Sequence, residues 1–241
     1  MAFLDLHYWS DAIGMQTSAY VILPQTAGPH HVLFLLHGRS DDHTIWMRRT
    51  SIERYVEGLN LMVVMPNGHR GFYLNQADGY AYGDAVTEEL PSLVEQWFRV
   101  HPRFAISGLS MGGYGAVRSA LVRPDRFVSA VSHSGALFRF DNGYGEGRAM
   151  DREFIRTFGE DPDGGPGDLY ALTSAAKTYP KLRIDCGTED FLIEDNRQYH
   201  RFLKNSGVAH EYAEFSGGHT WDYWDAHVSE GIAFHRRNLG F

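Results

Sequence analysis

A single cysteine, Cys186, stands among 241 residues. An intramolecular disulfide is therefore impossible, and zinc sites built from several thiolates are excluded. A chain without disulfides fits a reducing compartment. Basic charge is also scarce: 22 Lys and Arg stand against 30 Asp and Glu, a formal charge of −8. That balance argues against a nucleic-acid partner, which needs clustered positive charge, and against an anionic membrane surface. Long apolar runs are missing too. The longest, Val32-Leu33-Phe34-Leu35-Leu36 and Leu61-Met62-Val63-Val64-Met65, fall well short of the about 18 residues that a membrane span requires. Residues Met1 to His7 lack the basic and apolar regions of a secretory signal, so a cytoplasmic location is expected. The acidic turn Asp161-Pro162-Asp163 is too sparse for a calcium loop, and neither a metal nor a cofactor is expected.

What is present is the makings of a large core. Hydrophobic residues are 43% of the chain, with 15 Phe, 5 Trp and 13 Tyr, which excludes disorder as the dominant state. A chain of this length fits one large α/β domain and buries roughly 70–75% of its unfolded surface. Phe3 to Leu23 reads as two strands around a turn near Asp11-Ala12-Ile13-Gly14. Six further apolar runs follow: His31 to Leu36, Leu59 to Met65, Phe104 to Gly108, Val128 to Ser132, Lys181 to Cys186 and Glu211 to Phe215. Near-continuous apolarity is the mark of parallel strands buried on both faces. Helical spacing links Val86, Leu90, Leu93, Val94 and Trp97, with Pro91 forcing a late start or a kink. Met111 to Val122 forms a second helix, and Tyr199, Phe202 and Leu203 mark a third, closed by Gly207. The expectation is a mostly parallel eight-stranded sheet flanked by helices. The glycine-rich stretch from about 137 to 177 breaks the alternation and is expected to be a small cap-like insertion, not a second domain.

The chemistry concentrates in Gly108-Leu109-Ser110-Met111-Gly112, which follows a strand and precedes a helix. A serine there takes a strained backbone that holds its hydroxyl clear of the sheet, and small neighbours let strand and helix approach. A serine hydroxyl is a weak nucleophile and needs a base oriented by an acid. In this fold the chain order is Ser, then Asp or Glu, then His. His219, in Ser216-Gly217-Gly218-His219 after the last strand, is the expected base; His210 lies before that strand, at the wrong edge. Of Asp185, Glu189, Asp190 and Asp195, the loop at the strand's carboxyl end favours Asp190, with Glu189 next. The oxyanion needs amide donors. Met111 N–H is one. The other comes from His37-Gly38-Arg39-Ser40-Asp41, where Arg39 and Ser40 are both candidates. Tyr73 and Asn75, after the Leu59 to Met65 strand, and Trp221, beside the histidine, are the candidate substrate contacts. Cys186 lies within a strand and reads as an inert buried thiol.

With these pieces together the chain resembles the esterase D family of α/β-hydrolases, and within it the bacterial tributyrin esterase group. The matching stretches run from Tyr20-Val21-Ile22-Leu23-Pro24 to Trp224. They include Leu36-His37-Gly38, Trp46, Phe72-Tyr73-Leu74-Asn75, Thr87-Glu88-Glu89-Leu90-Pro91, Gly108 to Gly113, Cys186-Gly187-Thr188-Glu189-Asp190 and Gly217-Gly218-His219. The resemblance implies the α/β-hydrolase fold, a Ser110–His219–Asp190 triad, a preference for short acyl chains, a cap from the 137–177 insertion, and self-association into a homo-oligomer. S-formylglutathione hydrolases share the serine motif but carry a cysteine-containing segment where this chain has Arg39-Ser40-Asp41-Asp42.

The expected function is a serine carboxylesterase that hydrolyses short-chain acyl esters, a small-molecule substrate, through an acyl-enzyme. The alternatives are a thioesterase of the S-formylglutathione hydrolase kind, acyl transfer to an acceptor other than water, and a non-catalytic binding module. A histidine base, with an ordinary pKa of about 6.5, predicts that kcat/KM falls on acidification. Initial rates across a pH series check this, and a flat profile from about pH 5 to 8 would argue against a histidine base.

Overall fold

Turns rich in glycine and proline cut the apolar runs into strands, and the strands assemble into one eight-stranded sheet in a computed structural model that describes residues 1–140 and 152–241. The strands are β1 (Ala2–Ser10), β2 (Met15–Leu23), β3 (His31–Leu36), β4 (Leu61–Pro66), β5 (Phe104–Leu109), β6 (Phe127–His133), β7 (Lys181–Gly187) and β8 (His210–Phe215). Their order is β1-β2-β4-β3-β5-β6-β7-β8. The β1–β2 and β2–β4 pairings are antiparallel and the rest parallel. This is the α/β-hydrolase fold that the resemblance implied.

The helices are α1 (Ile45–Arg49), α2 (Ile52–Tyr55), α3 (Tyr82–Asp84), α4 (Leu90–Trp97), α5 (Met111–Val122), α6 (Arg152–Phe158), α7 (Leu169–Ala175), α8 (Ile193–Asn205) and α9 (Trp221–Leu239). They cover both faces, which is why the central strands read as continuous apolar runs. Val32, Phe34 and Leu36 of β3 join a core formed with α4, α5 and α8. Leu33 and Leu35, one residue out of phase, join a second core with α1, α2 and α9.

Pro91 marks where the regular helix α4 starts. It occupies the first turn of α4, and a widened π-helical turn, Ala85–Glu89, precedes it, with the Leu90 amide donating to the Ala85 carbonyl. A proline here would collide with the carbonyl four residues back in a regular helix, and the wider turn relieves that collision.

Of the expected 137–177 insertion, residues 141–151 lie outside the described residues. The remainder joins the first core through Leu137, Phe138, Phe140, Phe158, Leu169 and Tyr170. Phe72, Phe138, Phe154 and Phe158 meet mostly edge-on or tilted, with centroids 4.6 to 6.4 Å apart. Asp168 caps α7 by accepting from the Tyr170 and Ala171 amides. Among the described residues no helix is long and apolar enough to cross a membrane.

Candidate active site

Ser110 sits between β5 and α5 with φ 54° and ψ −117°. This conformation is costly for a residue with a side chain and persists only where its surroundings enforce it. Three backbone hydrogen bonds do so. Ser110 N–H donates to His133 O, and Ser110 O accepts from Tyr114 N and Ala136 N. The strand and helix meet at Gly108, where a Cβ would lie 2.3 Å from the Gly112 carbonyl carbon and oxygen. Only glycine permits that approach.

His219 reaches the serine from the loop after β8. Its Nε2 lies 3.0 Å from Ser110 Oγ and its Nδ1 lies 2.8 Å from Asp190 Oδ2. The other Asp190 oxygen accepts from the Leu192 amide at 2.8 Å. Burial pushes the Asp190 carboxyl up, but the hydrogen bonds from His219 and Leu192 outweigh it and hold the group below the usual carboxylate range. An ionised carboxylate can only accept, so the His219 proton belongs on Nδ1 and the Nε2 lone pair faces the serine hydroxyl. That is the arrangement a general base requires.

Glu189, the neighbouring candidate, turns away from the histidine. Its carboxylate accepts from Gly217 N and Thr188 Oγ1. With Thr188 N to Phe215 O and Glu189 N to Gly217 O it staples the acid's loop to the histidine's loop. Asp185 is buried within β7 beside His133, at 2.9 Å. Two other histidines are occupied elsewhere. His210 bonds His200 at 2.7 Å. His235 lies sealed between Ser107 and Ser129, and burial pushes it down to about 3.

The candidate oxyanion donors sit on the two segments that border Ser110. Met111 N–H opens α5, where the first amides of a helix have no intrahelical partner. Asp41 N donates to Gly38 O at 3.2 Å, a turn whose two central amides are those of Arg39 and Ser40. A Cβ on Gly38 would lie 3.8 Å from Ser110 Cβ, so this turn borders the serine. Three groups tether it. His37, which burial pushes down to about 4, bonds Gly38 O through Nδ1 at 2.7 Å and accepts from Gly68 N through Nε2 at 2.9 Å. Trp46 Nε1 donates to Leu36 O at 3.0 Å. Tyr73 OH donates to His37 O at 3.1 Å.

Tyr73 therefore corrects the expectation from sequence. It is fully buried beneath the turn, not open to a substrate. Asn75 is displaced as well: it does not line the cleft, and its Oδ1 accepts from the Asp84 amide at 2.9 Å. Trp221 does line the cleft, a space of about 460 Å³ bounded by Gly38, Arg39, Ser40, Ser110, His219 and Trp224 among others. Two lining residues escaped the sequence reading: Phe191 and Arg70. Phe191 is 71% exposed and lies against the His219 ring, with centroids 4.5 Å apart. Its position next to Asp190 was the only available signal. Arg70 carried none, because its placement depends on a loop fold and on Glu153.

Glu153, on α6, bridges Arg39 and Arg70. Its carboxylate accepts from Arg70 Nη2 at 2.5 Å and Nε at 2.6 Å, and from Arg39 Nη2 at 2.6 Å. The Arg70 guanidinium first, and Arg39 with it, hold Glu153 down at about 2 against the opposing effect of burial. The bridge ties the described part of the insertion to the turn beside Ser110.

A strand, a strained serine, a helix and a histidine held by a buried carboxylate define a serine hydrolase on an α/β-hydrolase fold. Residues 10–235 match the Esterase family, described as "Putative esterase", and the chain belongs to that family. Relatives of similar length carry related activities. The acetyl esterase of Caldicellulosiruptor saccharolyticus is 29% identical, over 96% of this chain and 97% of its own. Among solved structures, FphF, a fluorophosphonate-binding serine hydrolase of Staphylococcus aureus, is 35% identical with a TM-score of 0.87, over 96% of this chain and 97% of its own. The S-formylglutathione hydrolase FrmB from Staphylococcus aureus is 34% identical with a TM-score of 0.85 at the same coverage. The chain is a serine ester hydrolase.

Two expectations follow from this geometry. Gly108→Ala drives a methyl group into the Gly112 backbone and should destabilise the fold by about 1–3 kcal/mol, as overpacking does; thermal unfolding reads it, and an unchanged Tm would refute the close approach. The second concerns acid. Glu153 is held below its ordinary value of 4.5, so its bridge stabilises the fold fully above that pH and loses this as pH falls through about 2. The Tm difference between the parent and Glu153→Gln should therefore narrow as pH drops across that window. A difference independent of pH would refute the bridge.

Proposed function

We propose that Ser110, His219 and Asp190 are the catalytic triad of a carboxylesterase for short-chain acyl esters. The observation that carries this is the chain of contacts from Asp190 through His219 to Ser110, at 2.8 and 3.0 Å. Ser110 Oγ attacks the ester carbonyl while His219 Nε2 takes its proton, and Asp190 stabilises the imidazolium. The tetrahedral oxyanion is held by the Met111 amide and by the amide of Arg39 or Ser40. Collapse breaks the bond to the alcohol oxygen, which takes the proton from His219 and leaves an acyl-Ser110. Water, deprotonated by the same histidine, then releases the acid and restores the serine. The short-acyl preference, and placement within the tributyrin esterase group, rest on the resemblance of the chain and on the crowding of the cleft by Phe191, Trp221 and Trp224.

A second reading, hydrolysis of a glutathione thioester, is favoured by the likeness to the staphylococcal S-formylglutathione hydrolase. The Arg39-Ser40-Asp41-Asp42 segment weighs against it.

Hydrolysis of p-nitrophenyl esters from acetate to decanoate separates these. Activity is expected to peak at two to four carbons and to fall by about 10⁴ or more in Ser110→Ala. Activity that survives in the variant would overturn the triad. A kcat/KM for S-formylglutathione well above that for p-nitrophenyl acetate would establish the thioester reading instead.

A further inference from the structure

A buried polar cluster behind the cleft takes no part in the proton transfer. Asp185 and His133 are fully buried and form the final pair in the parallel pairing of β7 with β6. A carboxylate held inside the sheet is costly unless it is hydrogen-bonded or paired with a charge. Asp185 Oδ1 lies 2.9 Å from His133 Nδ1 and accepts from Tyr223 OH at 3.2 Å. Its Oδ2 lies 3.6 Å from Arg183 Nε, and Arg183 also pairs with Glu230 of α9 at 2.7 Å. Tyr223 is buried too, in the first turn of α9. Burial first, and the nearby Asp185 charge with it, push the Tyr223 hydroxyl well above its ordinary range, so it stays protonated and donates.

From this carboxylate, contacts run to all three members of the triad. The main chain of His133 accepts from Ser110 N at 3.0 Å, and Asp185 O accepts from Ser134 N at 2.7 Å, so the strand end that holds the serine is tied to β7 by backbone and side chain together. Tyr223 follows His219 by four residues, and its ring lies under the loop that carries the histidine: a Cβ on Gly217 would lie 2.9 Å from Tyr223 Cδ2. Gly217, at φ 134°, is the residue through which that loop is joined to the loop of Asp190, since its carbonyl accepts from Glu189 N at 3.0 Å and its amide donates to the Glu189 carboxylate. Asp190 itself stands five residues beyond Asp185, at the end of the same strand.

We propose that Asp185 and Tyr223 are positioning residues for the ester hydrolysis: their hydrogen bond fixes the start of α9 against β7, and thereby the place of His219 between Ser110 and Asp190. The proposal rests on the triad reading given above. A ring packed under Gly217 fills space but does not fix a direction, whereas the hydroxyl bond ties α9 to one point on β7. Proton transfer depends on the 3.0 Å contact between His219 and Ser110, and a misplacement of about 1 Å in such a contact can cost about 10²-fold in rate. Neither residue lines the cleft, so the consequence falls on the rate of reaction and not on substrate binding.

The test is Tyr223→Phe, which removes the hydroxyl and keeps the ring under Gly217. Steady-state hydrolysis of p-nitrophenyl acetate is measured well below the variant's own Tm, so that every chain counted is folded. kcat is expected to fall at least about fivefold while KM stays within about twofold of the parent's. Asp185→Asn, and its combination with Tyr223→Phe, form a double-mutant cycle. Because both changes break one contact, the double variant should lie within about twofold of the slower single variant. A smaller fall in kcat, a loss carried by KM instead, or losses that multiply in the double variant would each overturn the proposal. A lower Tm with kcat unchanged is the result of a purely structural role and overturns it as well. Should Asp185→Asn fail to fold, Tyr223→Phe decides alone. The triad reading fails separately: it falls if Ser110→Ala stays active, whereas an inactive Ser110→Ala beside a fully active Tyr223→Phe overturns only the positioning role.

Discussion

The backbone of Ser110 is the constraint on which the rest of the site depends. Its left-handed φ costs about 1–3 kcal/mol in an unrestrained chain. The surroundings impose it from three directions: β6 through the His133 carbonyl, the following loop through the Ala136 amide, and α5 through the Tyr114 amide. The helix that follows is buried over nearly its whole length, from Met111 to Leu121. A buried helix cannot shift to relieve the turn, so the serine is held by the packing of the core. Its hydroxyl consequently points at the one place where the loops after β3, β7 and β8 can all arrive.

Those loops are held as firmly as the serine. The turn after β3 hangs from buried donors, with His37, Trp46 and Tyr73 each spending a polar group on one of its carbonyls. Burial keeps His37 neutral, so a single ring nitrogen donates while the other accepts, and the loop carries no buried charge. The loops after β7 and β8 are stapled together through Glu189. In the proposed mechanism, amides preorganised in this way would stabilise the developing oxyanion without reorganising at the moment of reaction. The Glu153 bridge to Arg39 and Arg70 adds a tether from outside.

The sequence reading of the fold rested on period. Runs such as Val32 to Leu36 are apolar at every position because both faces of the central strands are covered, and α5 was legible to its end residues for the same reason in helical form. Ser110, Asp190 and His219 were legible because each follows a strand at its carboxyl end, where glycines and polar residues interrupt the apolar pattern. Tyr73 and Asn75 were placed wrongly because their loop bends back under the turn: Tyr73 sits at φ 52°, a conformation no local pattern announces. Phe191 and Arg70 reach the cleft through loop paths of the same kind.

The chain's own order of residues thus determined the sheet, the helices, the candidate nucleophile and base, and a loop with two adjacent candidate acids, since these depend on local periodicity and on which residues terminate each strand. Tertiary structure alone decided between Asp190 and Glu189, adjacent in one loop and facing opposite ways, because the direction of a loop side chain is set by the partners it meets. It also decided that Tyr73 supports the site from beneath and that Glu153 closes its rim. Contacts between residues 36, 83 and 114 positions apart in the chain carry these outcomes, and they exist only once the sheet has brought its carboxyl ends together.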